Sequence, residues 1–257
     1  MEKYPNIKMI VTDLDSTLLK NNKTISPFTD SILARLQERR ILFAIATARP
    51  IRAVKGALPF LKFDASIFHN GALIYAGNRL LAKFGIENPA AITSVLLNEL
   101  PHSRISIEAN DTMYSNCAPE EIWSGIEYTK TQDFHETAHL VADKILVEAR
   151  SLDDMNRFRA YIPDNLYLQL SENLVAMIMN RQATKANGIK LLAAHYGISP
   201  EEVAAFGDDY NDIDMLQSCG IGIAMDNALP EVKAAANQIC ESNEQDGVAR
   251  WIADNLL

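Results

Sequence analysis

The sequence predicts an α/β protein, a Rossmann-like doubly wound parallel sheet core with an inserted α+β cap domain. Three observations carry this expectation. Short apolar runs alternate with amphipathic helical segments in the first third, the alternation returns in the last third, and the middle third is rich in strand-like runs instead.

In the first third, residues 7–12 read as a strand, 27–40 as a helix, 41–46 as a strand, 50–59 as a helix and 64–68 as a strand. Strands alternating with helices imply parallel pairing in a doubly wound sheet. In the last third a helix is expected at about 185–196 and a strand at 202–206. A helix from Tyr210, a strand at 221–225 and a helix at 229–236 follow, then a strand and a helix to the end. The middle third carries the runs RISIEA, KILVEA, LYLQL and LVAMIM, with helix-like segments near 88–100 and 152–161. Such runs fit an antiparallel unit. Met177 and Met179 alternate with Ile178, so one of the two sets is expected to form the cap core. The pattern changes near 82 and 181. The expected organisation is a core made of 1–82 and 181–257, with a cap over 83–180.

Composition narrows the function classes. Over 257 residues, 48% apolar and 22% charged content excludes a disordered chain. A net charge of −9 with scattered Lys and Arg excludes a nucleic-acid partner, since a phosphate backbone would be repelled. Cys117, Cys219 and Cys240 are too few and too widely spaced for a disulfide framework or a CxxC knuckle, which fits a reduced, cytoplasmic protein. The opening MEKYPNIKMIV is unlike a signal peptide, and no run approaches the ~18 apolar residues of a membrane span. No export, anchoring or membrane association is expected.

Ligands of doubly wound sheets sit outside the carboxyl ends of the strands. Here those ends read Asp13-Leu14-Asp15, Thr47-Ala48-Arg49, His69-Asn70-Gly71 and Gly207-Asp208-Asp209, the last followed by Asn211 and Asp212. Carboxylates gathered at one edge repel one another, by roughly 4 kcal/mol per pair at ~4 Å and an effective dielectric near 20. Either one is protonated or a cation sits among them. Oxygen ligands without a His or Cys partner favour a hard cation, and an open carboxylate set favours Mg²⁺, which commonly bridges to phosphate. Lys185, opening a helix in ATKANGIKLL, supplies a matching positive charge for an anion at that helix start. The two aspartates of DLD can then divide the work. One attacks phosphorus as a nucleophile, and its neighbour carries the proton of the leaving oxygen.

DLDST, TAR, the lysine ahead of a helix and GDDYNDIDM resemble, in order and spacing, the four motifs of haloacid dehalogenase superfamily phosphatases. NGALIY, GIAMDNALPEVKAAA and DGVARWI are similar to phrases of the Cof-type subfamily, whose type IIB cap is inserted between the second and third motifs. The resemblance covers both core segments and reaches the cap through its position and size. It implies that Asp13 is the nucleophile and a Mg²⁺ ligand. Asp15 would be the general acid and base, its carbonyl also on the metal. Thr47, Lys185, Asn211 and the amides of Leu14 and Ala48 would hold the phosphoryl oxygens. Asp208 would be a further metal ligand and Asp212 would support the shell. The segment STLLKNNKTIS resembles the family's flap hairpin, with Asn21-Asn22 at its turn. Two positions depart from the common pattern: TAR stands for TGR, and AMDNA for AMGNA.

The function expected is a Mg²⁺-dependent phosphatase acting on small phosphate esters through an aspartyl phosphate, with the cap selecting the substrate. Sugar phosphates come first and vitamin-related phosphates such as pyridoxal phosphate next. A phosphotransferase or mutase, and a non-catalytic phosphometabolite-binding protein, are the alternatives. Arg49 is expected in a surface salt bridge, His69 at a core edge and His195 in a structural position.

Overall fold

A computed structural model describes every residue except Met1, Glu2, Pro5, Ser124, Arg150 and 172–174. Leu174, the first residue of the LVAMIM run, therefore lies outside the described residues. The chain forms two compact units: Met1–Ala82 with Thr184–Leu257, and Lys83–Ala183.

In the first unit, β1 (Met9–Thr12), β2 (Leu42–Ala46) and β3 (Ala65–Phe68) are parallel neighbours. After them come β4 (Leu73–Ala76) and β5 (Arg79–Lys83), then β6 (Val203–Gly207), β7 (Ile221–Met225) and β8 (Gln238–Cys240). The sheet order is β8-β7-β6-β1-β2-β3-β4-β5. The order reverses between β1 and β6, which pair in parallel with Thr12 opposite Phe206. Such a reversal opens a crevice at the strand tips, because the crossovers on its two sides lead away from each other. β1 and β6 are buried at every position, as continuous apolar strands covered on both faces must be.

One part of the sheet departs from the parallel expectation. β4 runs antiparallel to β3, with Phe68 opposite Leu73. The reversal is made by His69 and Asn70, both in left-handed conformations, followed by Gly71 at φ +117°. A Cβ on Gly71 would collide with the backbone of Thr184, so only glycine lets the turn approach the start of the next core helix.

The helices follow the expected order, α3 over the expected span and α1, α2 and α5 shorter than expected: α1 (Pro27–Glu38), α2 (Ile51–Ala57), α3 (Lys185–Tyr196), α4 (Ile213–Ser218), α5 (Pro230–Ala235) and α6 (Gly247–Leu256). The Ser26 and Thr184 side chains cap α1 and α3 by accepting amide hydrogen bonds from Thr29 and Asn187. The helix expected from Tyr210 begins as a 3-10 turn over Tyr210–Asp212 before α4.

The second unit holds a six-stranded sheet of Ile105–Ala109, Thr112–Ser115, Thr129–Lys130, Lys144–Glu148, Leu166–Ser171 and Val175–Asn180. Its longer strands pair antiparallel. Leu168, Ile178, Ile145 and Ile107 stand opposite one another across the sheet, and so share one face. This row packs with Leu96 and Phe158 from the helices Pro89–Glu99 and Leu152–Arg159. Ile178 therefore belongs to the core of this unit, while Met177 and Met179, also buried, point to the opposite face. Among the described residues no helix is long and apolar enough to cross a membrane.

Candidate active site

Asp13 follows directly on β1, and its amide donates to the Phe206 carbonyl on β6. This bond places Asp13 beside Gly207-Asp208, across the point where the strand order reverses. The chain then makes a wide turn over Leu14–Leu18, closed by Leu19 N–H on the Leu14 carbonyl at 2.8 Å. Ser16 adopts φ 58° inside this turn, directly after Asp15. After β6 the chain turns at Asp209, whose side chain caps the Tyr210–Asp212 turn. That turn folds Asp212 back against Gly207, where any Cβ would overlap the Asp212 side chain.

Asp13, Asp208 and Asp212 consequently gather, each offering a carboxylate oxygen within 4.8 Å of the others. Lys185, the first residue of α3, reaches into them: its Nζ donates to Asp13 Oδ1 and to Asp212 Oδ1, both at 2.7 Å. The other Asp212 oxygen accepts the amides of Asp208 and Asp209 at 3.0 and 3.2 Å. Both Asp212 oxygens are thus engaged by protein donors, which suits this residue to holding Lys185 and the loop. Thr17 Oγ1 donates to Asp208 Oδ1 at 2.5 Å. The second oxygens of Asp13 and Asp208 accept no hydrogen bond from the described residues and remain open toward a ligand.

Burial raises Asp13 well above the usual carboxylate range, and Asp212 and Asp208 add to the rise while Lys185 opposes it. Burial likewise pushes Asp208 up to about 7, with Asp212 adding to it against the Thr17 hydrogen bond. Burial would lower Lys185, yet Asp13 and Asp212 outweigh it and hold the ammonium above its ordinary value. Three carboxylates against one ammonium leave negative charge unbalanced in a desolvated place. Oxygen-only donors with that excess fit a hard divalent cation of the Mg²⁺ type.

Asp15 has a different environment. Arg49 grips it from Nε to Oδ2 at 2.7 Å and from Nη2 to Oδ1 at 2.6 Å, and Lys23 Nζ reaches Oδ1 at 2.6 Å. Burial would raise its pKa, but these hydrogen bonds and charges prevail and lower it. Arg49, expected at the surface, is a bidentate partner of Asp15 instead. Lys23 arrives because the Lys20–Thr24 segment folds into a tight turn, with Lys23 at φ 63°. Asn21 and Asn22 occupy the middle of that turn, as expected. The segment carries no β ladder, so the expected hairpin is reduced to its turn.

The remaining candidates lie at the neighbouring tips. Thr47 is buried at the end of β2, and its carbonyl accepts the Asn70 amide at 2.9 Å. Asn211 Nδ2 donates to Asn70 Oδ1 at 3.1 Å, which joins the tips of β3 and β6. Leu14 and Ala48 directly follow Asp13 and Thr47 at the ends of two paired strands, so their amides stand at the same edge. His69 is buried beside Asn70, as a core-edge residue. His195 lies on α3 with its ring edge-on to Tyr196. Sequence reasoning assigned no role to Thr17, Lys23 or Asn70, although it placed Asn70 at a strand end. Thr17 lies inside the Leu14–Leu18 turn, and Lys23 comes back to Asp15, eight residues away, only through its own turn.

Residues 10–252 match the family model of haloacid dehalogenase-like hydrolases. Among curated relatives, the chain is 27% identical to the 5-amino-6-(5-phospho-D-ribitylamino)uracil phosphatase YitU of Bacillus subtilis, covering 99% of this chain and 98% of that one. It is 26% identical to the pyridoxal phosphate phosphatase YbhA of Escherichia coli, over 97% and 99% of the two chains. The solved structure of SMU.1108c from Streptococcus mutans superposes with a TM-score of 0.86 at 25% identity, covering 97% of this chain and 99% of that one. The match spans nearly the whole chain and includes every strand tip described above, so the chain belongs to the haloacid dehalogenase-like hydrolases, as an enzyme of their Cof-type phosphatase group.

Proposed function

We propose that the chain is a Mg²⁺-dependent phosphomonoesterase that hydrolyses small phosphorylated metabolites through an aspartyl phosphate on Asp13. The observation that carries the reading is the junction of Asp13, Lys185, Asp208 and Asp212 where the sheet order reverses. The open oxygen of Asp13 attacks phosphorus in line with the leaving oxygen, while Lys185 offsets charge on the phosphoryl group. Thr47, Asn211 and the amides of Leu14 and Ala48 orient the phosphoryl oxygens. Asp15 protonates the departing alcohol and then takes a proton from the water that cleaves the aspartyl phosphate. The Arg49 and Lys23 grip favours the ionised Asp15 that the second half needs, so proton donation in the first half requires this grip to loosen. Asp13, the Asp15 carbonyl and Asp208 would hold Mg²⁺, with Asp212 supporting them. When bound, the ion neutralises the carboxylate cluster and draws charge from the phosphoryl oxygens.

Two relatives, a 5-amino-6-(5-phospho-D-ribitylamino)uracil phosphatase and a pyridoxal phosphate phosphatase, support a small phosphate ester as substrate. Sugar phosphates are the first class to test, with the cap over 83–180 selecting among them. Phosphate release from a panel of sugar, nucleotide and cofactor phosphates, with no added acceptor, separates hydrolysis from transfer and from mere binding. Asp13→Asn should lower turnover by roughly 10³-fold or more while the fold survives. EDTA should silence the wild type reversibly. Full activity after either treatment would refute the mechanism.

A further inference from the structure

The turn that carries Asp15 is anchored by the C-terminal part of the chain through two asparagines that no catalytic role requires. Asn227, in the AMDNA segment, donates from Nδ2 to the Ser16 carbonyl at 2.7 Å. Asn243 is buried and donates from Nδ2 to the Leu19 carbonyl at 2.9 Å and to Asn21 Oδ1 at 3.1 Å. The two are joined, because the Asn243 amide donates to Asn227 Oδ1 at 3.0 Å. Glu244 extends the anchor, accepting the Asn21 amide on Oε1 and the Lys20 ammonium on its carbonyl, both at 2.6 Å.

The turn needs such an anchor. Ser16 sits at φ 58°, where a side chain with Cβ is disfavoured by roughly 1 kcal/mol or more, and it lies next to Asp15. Its carbonyl accepts a hydrogen bond from Asn227, which holds the peptide in that orientation. Thr17, one residue on, is held by Asp208. Asp15 thus lies in a segment whose backbone is fixed at Ser16 and Leu19 by one linked pair of amides.

We infer that Asn227 and Asn243 are positioning residues for the proton-transfer step. They lock the Asp13–Leu19 turn so that the Asp15 carboxyl stands at the leaving oxygen. This rests on the proposed function, because it presumes that Asp15 moves a proton. Loss of the lock frees the Ser16 and Leu19 carbonyls and loosens the turn around Asp15, while Asp13 keeps its bonds to Phe206 and Lys185.

The test uses Asn227→Ala and Asn243→Ala in the full chain with Mg²⁺, comparing kcat/KM for an alkyl phosphate with that for p-nitrophenyl phosphate. An alkoxide needs a proton to leave and nitrophenolate does not. The expected result is a drop of about tenfold or more for the alkyl ester and little change for the nitrophenyl ester, the pattern of a mispositioned general acid. An equal drop for both esters, or no drop, would overturn the inference. Asn227 is exposed, so if Asn243→Ala does not fold, as judged by circular dichroism, Asn227→Ala decides alone. Asp15→Ala is the control. If it shows the leaving-group pattern and the asparagine variants do not, only the positioning role fails. If the wild type hydrolyses neither ester, the proposed function fails.

Discussion

Each compact unit buries a cluster of charge, and the two clusters differ in their balance. In the first unit Asp13, Asp208 and Asp212 face a single ammonium, Lys185. In the second, Glu108 and Asp143 are accompanied by Lys83 and Lys144. Lys83 lies 3.3 Å from Asp143, and Lys144 stands opposite Glu108 across paired strands. Two carboxylates against two ammoniums can be accommodated there, because buried Lys144 and exposed Lys83 offset the desolvation of buried Glu108 and Asp143. The first cluster lacks that equality. Its excess is what the proposed uptake of a cation would offset. The lesson is that a buried carboxylate is informative when its partners are counted.

Removing Lys185 should have the largest effect, because it takes away the ammonium that bonds both Asp13 and Asp212. Lys185→Met is expected to cost roughly 3–5 kcal/mol of stability, the range for breaking a buried pair. Phosphatase activity should fall by roughly 10³-fold as the phosphoryl group loses its counter-charge. Urea melts and phosphate release measure the two. A variant as stable as the wild type would show that the carboxylates do not depend on Lys185.

A smaller effect should come from supplying the missing charge. Mg²⁺ at a hundred times its Kd should stabilise the wild type by about 2.7 kcal/mol and raise Tm accordingly. Asp208→Asn should abolish most of that rise. Because burial holds Asp208 at about 7, protons compete with the ion below that pH. The Mg²⁺-induced rise in Tm should therefore shrink as pH falls from 8 to 5.5. A rise independent of pH would separate Asp208 from the metal.

The balanced cluster should respond least. Burial raises Asp143 above the usual carboxylate range, with Lys83 opposing and Glu108 adding. A carboxyl whose folded value lies above its unfolded value binds its proton more tightly when folded. Stability therefore falls as pH rises through the window between the two values, and the charged form carries a cost at neutral pH. Asp143→Asn should match or slightly exceed the wild-type Tm at pH 7, and the difference should fade toward pH 4. A large loss at pH 7 would mean that the Lys83 contact contributes more than the burial costs.

Much of this was legible along the chain. The alternating strands and helices of the core followed from β and α periodicity, the tips holding Asp13, Thr47 and Asp208 from where apolar runs stop, and Lys185 from the helix that it opens. The antiparallel β4 was not legible, because its reversal depends on left-handed His69 and Asn70 and on the space left by Gly71. Nor was the tightening of the first turn of the helix expected from Tyr210, by which Asp212 accepts the Asp208 and Asp209 amides.

The sequence by itself determined which chemical groups stand at the strand ends, since strand position depends on local apolar runs. Tertiary structure alone decided how those groups share their charges. Asp13 and Asp15 are two residues apart and alike in chemistry, yet one meets Lys185 from 172 residues away and the other meets Arg49 and Lys23. Burial and partner charge set what a carboxyl does, and both are properties of what the fold brings near it.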